Sequence, residues 1–284
     1  MQSPSVPTSD ASTIQTPDAL PTPTSDASTI PAPDAFRAPE PDVSVILPCA
    51  GYATRFGAPY AKELHCLAPG VTVLDRSLEA AVELAKSGLT VRLVVVFRAH
   101  KLDTVGYLAR YAETFQMVFV YQDESLDAGL DGAIRSALPL TRGPVALVLP
   151  DIVVDGVNSA GSLLAALRRT RAPGNSGWSV VAARERDPDT LRQMGALTLR
   201  EPDAPPEGEG EGEGEGGDEV LTVGAAAEKP SDPAGFNGLW GMVAVAEEEA
   251  HRLPDVVRKG ADSPLAGAAA VVVKEIVNYN TVAG

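Results

Sequence analysis

Hydrophobic positions along the chain gather into short aliphatic runs separated by longer amphipathic stretches. Runs of β-branched and aliphatic residues predict strands over Val43–Leu47, Val91–Phe97, Met117–Tyr121, Val145–Leu149 and Ser179–Ala183. Apolar residues at helical spacing predict helices over Leu74–Lys86, Thr104–Thr114, Leu130–Leu138 and Ala160–Arg169. Strands alternating with helices over short connections predict an α/β fold: a mostly parallel mixed sheet with helices on both faces, in three α/β/α layers. After Ala183 the pattern changes. Gly195–Arg200 and Glu219–Ala226 read as two strands joined by a Glu-Gly repeat.

Two segments fall outside this pattern. TSDASTI occurs at Thr8–Ile14 and again at Thr24–Ile30, inside a stretch rich in Ser, Thr, Pro and Asp. So little apolar surface cannot offset the entropy of ordering, so residues 1–41 are expected to be a disordered tail and 42–284 the folded domain. The segment 201–219, EPDAPPEGEGEGEGEGGDE, is expected to be a flexible, self-repelling surface insertion, with a substrate-gating lid as the alternative. Residues 1–40 contribute −4 and residues 201–219 contribute −9 of the formal charge of −15, so the remainder carries −2. A nearly neutral body argues against a nucleic-acid partner. The start MQSPSVPTSD lacks the cationic and apolar regions of a secretory signal, and no run of about eighteen apolar residues occurs to span a membrane. Cys49 and Cys66 are too few for a disulfide framework, and a cytoplasmic location is expected.

The candidate chemistry lies at strand ends. Val43–Leu47 runs into a small-residue turn, Pro48-Cys49-Ala50-Gly51, followed by Thr54, Arg55 and, seven residues on, Lys62. Small residues let backbone N–H groups approach phosphate oxygens, and the two cations supply charge. An ordinary surface turn with two solvated cations is the competing reading. The turn after Val43–Leu47 is neither a G-x-G-x-x-G nor a G-x4-G-K-[ST] loop. Asp151 follows the strand Val145–Leu149, so it and the loop are expected to face one crevice beyond the carboxyl ends of the strands. His65, His100 and His251 show no metal-ligand spacing, and no Ser/His/Asp arrangement stands out.

Gly51-Tyr52-Ala53-Thr54-Arg55 followed by Lys62 resembles the signature of the sugar-1-phosphate nucleotidyltransferases, usually written G-x-G-T-R and then P-K. Ala53 stands where a second glycine is usual, and the proline is displaced to Pro59. Further along, ALVLPDIVVD, AAAEKP, GFNGLWG and NYNTVAG resemble that family's metal-aspartate, sugar-phosphate, acceptor-pocket and second-metal-ligand elements, in order over residues 43–284. The resemblance, to enzymes of the glucose-1-phosphate uridylyl- and thymidylyltransferase type, implies a Rossmann-like sheet of the nucleotide-diphospho-sugar transferase (GT-A) kind. It also implies transfer of a nucleotidyl group from an NTP to a phosphorylated acceptor, with release of pyrophosphate.

Such a reaction needs charge neutralisation and alignment of two anions more than a strong base. Mg²⁺ suits it, as a hard cation content with one or two protein oxygens plus phosphates. The resemblance implies Asp151 as first ligand and Asn280 as second, with Asn278 the alternative. Arg55 would hold the departing phosphates, and Lys62 would lie against the α- or acceptor phosphate. Pro48, Ala50, Gly51 and Thr54 would line the nucleotide, and Gln122 and Gly129 would read its base, a pyrimidine favoured over guanine. Glu228, Lys229, Gly195, Asn237 and Gly238 would form the acceptor pocket, with Trp240 packing in the core or stacking on a ring. No counterpart of the extra C-terminal helices of larger relatives follows NYNTVAG, so a monomer or homodimer is expected. The alternative reading is a cytidylyl- or guanylyltransferase acting on a non-sugar phosphorylated alcohol, cyclitol or phosphonate. A catalytically weak nucleotide or sugar-phosphate sensor is the reading of another class.

Overall fold

The computed structural model describes residues 39–52, 56, 59–123, 125–126, 129–156, 159–202, 219–258 and 262–279, all within the compact unit Pro39–Gly284. Of the expected tail only residues 39–41 are among them, and of the Glu/Gly insertion only residues 201, 202 and 219.

The first half of the chain forms β1 (Val43–Pro48), β2 (Cys66–Ala68), β3 (Val71–Thr72), α1 (Val73–Lys86), β4 (Val91–Phe97), α2 (Leu102–Leu108), β5 (Gln116–Tyr121), α3 (Leu130–Ala137) and β6 (Val145–Val148). The second half forms β7 (Ile152–Asp155), α4 (Ser159–Thr170), β8 (Trp178–Arg184), α5 (Pro188–Leu191), β9 (Gly195–Arg200) and β10 (Val220–Glu228). It closes with β11 (Gly238–Val245), α6 (Leu253–Val256), β12 (Ala269–Val273) and β13 (Glu275–Asn278).

Strand side chains alternate between two cores. Val45 and Leu47 of β1, with Leu93 and Val95 of β4, pack with Leu74, Leu78 and Leu84 of α1 and Leu163 of α4. Ile46 of β1, with Val94 and Val96 of β4, packs with Ile134 of α3 and Leu253 and Val256 of α6. Burial on both faces explains why these strands read as unbroken aliphatic runs. Helix α1 begins where Thr72 and Asp75 cap one another reciprocally.

The main sheet has the order β5-β4-β1-β6-β11-β8-β12-β10-β9. β5, β4, β1 and β6 are mutually parallel, as are β8 and β12. β11 runs against β6 and β8, and β10 against β12 and β9. The chain therefore moves outward from β1 through β4 to β5, then crosses to the other side of β1 at β6. That reversal opens a crevice between the carboxyl ends of β1 and β6.

The sequence patterns place β1, β4, β5, β6, β8, β9 and β10 to within one or two residues. The sheet is mixed, as expected, but its parallel part is β5, β4, β1 and β6 together with the β8–β12 pair, and the other pairings are antiparallel. Residues 196 and 197 of β9 also pair with β11, so β11, β8, β12, β10 and β9 close into a ring. Irregularities at Val223/Ala225 in β10 and Trp240/Met242 in β11 bend the strands, as bulges do, and bring β9 round to β11. Strand β11 is buried at every position, so its sequence carries no alternation to mark it. β7 and β13, four residues each, pair only with one another.

Candidate functional site

A cavity of about 200 Å³ lies at the crevice between β1 and β6. Pro48 ends β1, Leu149, Pro150 and Asp151 follow β6, and Asn278 of β13 lies next to them; the far wall comes from Gly195, Glu228, Lys229 and Trp240. Pro48, Lys62, Asp151, Gly195, Glu228 and Lys229 thus share one cavity, although up to 181 residues separate them in sequence. Lys62 sits on a one-turn 3-10 helix, Lys62–Leu64, and its Nζ donates to Asp151 Oδ2. Both side chains are mostly buried.

On the opposite wall Lys229 Nζ lies 2.8 Å from Glu228 Oε1. Consecutive strand residues point to opposite faces, yet both of these line the cavity. The backbone supplies the reason. Lys229 takes φ +47°, a left-handed conformation uncommon for a side-chain-bearing residue, held by a 3.1 Å hydrogen bond from its N–H to the Met194 carbonyl.

Gly195 is dictated by Trp240: a Cβ there would stand 1.8 Å from the indole Nε1. Trp240 is buried in a core cluster and also lines the cavity, so it packs while its edge is available to a ligand.

Asn278 ends β13 opposite Ile152, and the next amide, Tyr279 N–H, bonds to the Asp151 carbonyl at 2.9 Å. Its side-chain Oδ1 is buried without a hydrogen-bond partner. An orphaned acceptor beside a carboxylate in a polar cavity fits a hard cation that takes two protein oxygens and completes its shell with water and phosphate. Among the described residues no group of three or more His, Cys, Asp or Glu gathers as a metal site. Asn280, expected ahead of Asn278, lies outside the described residues, as do Thr54 and Arg55.

The other expected residues stand apart from the cavity lining. Ala50 is buried and Gly51 exposed at the start of the loop. Gln122 is buried, and its Nε2 donates to the Gly129 carbonyl at 3.0 Å, so these two do meet beside Leu130, which lines the cavity. Asn237 spends its amide on the backbone of Leu199, accepting from its N–H at 2.6 Å and donating to its carbonyl at 3.1 Å. A Cβ on Gly238 would meet Leu199 Cδ1 at 2.5 Å. Their places in this structure are therefore explained by strand packing rather than by contact with the cavity.

Sequence reasoning passed over other charged groups. Arg98 is buried against the exposed Tyr52 ring, 5.1 Å from its centroid, and Tyr52 stacks on His100. Glu63 and Lys101 form a buried pair. Nothing in a single sequence marks a lysine after β4 as buried. Cys49 lies among these charges: burial first, then Glu63 and Asp151, push its thiol well above the ordinary 9.0.

A solved structure of a protein assigned as a glucose-1-phosphate thymidylyltransferase from Bacillus anthracis, in complex with sucrose, matches with a TM-score of 0.56. The match covers 84% of this chain and 91% of that one at 12% identity. The two chains share a fold. No protein-family profile and no curated protein matches the sequence. At such low identity the likeness concerns the course of the chain alone. Among the described residues no helix is long and apolar enough to cross a membrane.

Proposed function

We propose that the protein is a Mg²⁺-dependent nucleotidyltransferase. It would join an NTP, a pyrimidine nucleotide favoured, to a sugar 1-phosphate or a similar small phosphorylated acceptor, releasing pyrophosphate. The observation that carries this reading is the convergence of Lys62, Asp151, Glu228, Lys229 and the unpartnered Asn278 Oδ1 on one cavity.

Asp151 and Asn278 would hold Mg²⁺, which when bound neutralises phosphate charge and aligns the reacting oxygens. Lys62, freed from Asp151, would turn its ammonium to the α-phosphate, where negative charge builds as the acceptor oxygen attacks. Arg55 would hold the departing pyrophosphate. Lys229 would bind the acceptor phosphate, and Glu228 would accept hydrogen bonds from acceptor hydroxyls. The Trp240 N–H would add a donor at the same wall. Removing a charge-stabilising group such as Lys62 is expected to cost about two to three orders of magnitude in kcat. The cavity volume of about 200 Å³ favours a small acceptor.

The test is pyrophosphate release with Mg²⁺, crossing UTP, dTTP, CTP, GTP and ATP against sugar 1-phosphates and small phosphorylated alcohols and phosphonates. A productive pair abolished by Asp151→Ala is the expected outcome. Nucleotide binding without turnover across the panel would favour the sensor reading, and no nucleotide binding would overturn the proposal.

A further inference from the structure

Glu63 and Lys101 are almost completely buried, whereas the other ion pairs given among the described residues, such as Lys62–Asp151, lie nearer the surface. Lys101 Nζ donates to both Glu63 carboxylate oxygens at 2.9 Å, and Thr104 Oγ1 donates to Glu63 Oε1 at 2.8 Å. Removing two such charges from water is costly, and apolar residues of similar volume are often as stable in their place. Stability alone is therefore a weak account of this cluster. Its position offers a better one. Glu63 is the residue after Lys62, on the same three-residue turn, which has no side-chain cap. Lys101 and Thr104 belong to the segment after β4, the strand paired with β1. The Lys62–Asp151 and Glu63–Lys101 pairs are therefore rooted in consecutive residues of one turn.

We propose that the buried Glu63–Lys101–Thr104 cluster is a positioning device that fixes the Lys62 ammonium in front of Asp151. A short turn without caps has few hydrogen bonds of its own to resist rotation. Anchoring the side chain on one side of it, in a well-packed core, sets the direction of the side chain on the other. Glu63, Lys101 and Thr104 need touch no substrate to do this. The inference rests on the proposed function only for its catalytic consequence; the effect on the Lys62–Asp151 pair holds without it.

The test replaces the charged pair by apolar residues, Glu63→Leu with Lys101→Met, so that no buried charge is stranded. In reductively dimethylated protein, the Lys62 methyl resonance is assigned by its loss in Lys62→Arg. That resonance is expected to stand apart from those of exposed lysines in the wild-type chain and to join them in the double variant. A retained shift in a folded double variant would overturn the proposal whatever the enzyme does. Turnover gives a second readout. The double variant is expected to lose about tenfold or more in kcat with NTP affinity little changed, yet to lose nothing further when added to Lys62→Met. An equal loss in both backgrounds would show a merely structural role and also overturn it. If the methyl resonance moves but wild-type protein releases no pyrophosphate with any substrate pair, the positioning role stands and the proposed function falls. Should the double variant fail to fold, Thr104→Val, which removes one donor to Glu63 and keeps the shape, is expected to shift the resonance part of the way; no shift would overturn the proposal.

Discussion

Asn278 keeps an amide oxygen buried without a partner, beside Asp151, and this has a measurable consequence. Asn278→Ala is expected to weaken Mn²⁺ binding about tenfold, by calorimetry, with little loss of stability because no protein hydrogen bond to that oxygen is broken. Unchanged Mn²⁺ affinity would remove Asn278 from the metal site. Gly195 gives a second expectation. Gly195→Ala would drive a methyl into the Trp240 indole, and neither strand backbone nor buried ring can yield easily. It is expected to destabilise the protein by about 1–3 kcal/mol and to raise the KM for acceptor more than that for NTP. An equal rise in both would separate Trp240 from the acceptor wall.

At the scale of elements, α1 and α2 are joined through one carboxylate. Asp75, in the capping box of α1, accepts hydrogen bonds from Tyr107 at 2.5 Å and Tyr111 at 2.7 Å. Burial works to raise its pKa, but hydrogen bonds from Tyr107, Thr72 and Tyr111 outweigh it and hold the carboxyl below the ordinary 3.8. Burial, and then the Asp75 carboxylate itself, push the Tyr111 hydroxyl in the other direction. With its folded pKa depressed, Asp75 contributes stability that is fully present above 3.8 and is lost as pH falls through the lower folded value. Asp75→Ala is expected to cost about 2 kcal/mol in urea unfolding near neutral pH, with the gap from wild type closing below about pH 4. A gap independent of pH would mean that the carboxylate charge contributes nothing. Turnover should be unaffected, since Asp75 does not line the cavity.

For the molecule as a whole, the Glu/Gly segment 203–218 joins β9 to β10 beyond the Arg200–Thr222 pair. The cavity meets this hairpin at its other end, at Gly195 and Glu228. Five residues of strand place the attachment points about 17 Å from the cavity wall. Replacing 203–218 by a short Gly-Ser turn is therefore expected to leave kcat/KM within about twofold, since loop length alters closure entropy only slowly. A tenfold loss would restore the lid alternative.

The strands of the parallel half and the helices α1 and α3 were legible in the sequence by itself, because each buried strand is an aliphatic run and each of these helices has a periodic apolar face. The helix expected over Thr104–Thr114 instead spans Leu102–Leu108 and tightens into a 3-10 turn at Ala109–Tyr111. Lys62, after a small-residue loop, and Asp151, at a strand end, stand out locally, whereas Glu228 and Lys229 are marked only by the family resemblance. Only the tertiary structure decided which of them meet. It set Asn278 opposite Ile152, next to Asp151, turned Asn237 to the Leu199 backbone, and buried Glu63 against Lys101. It also closed the second half of the sheet into a ring through bulges. Those outcomes depend on register, strand curvature and contacts between residues far apart in the chain. Local periodicity, which records only which face of an element is buried, carries no trace of them.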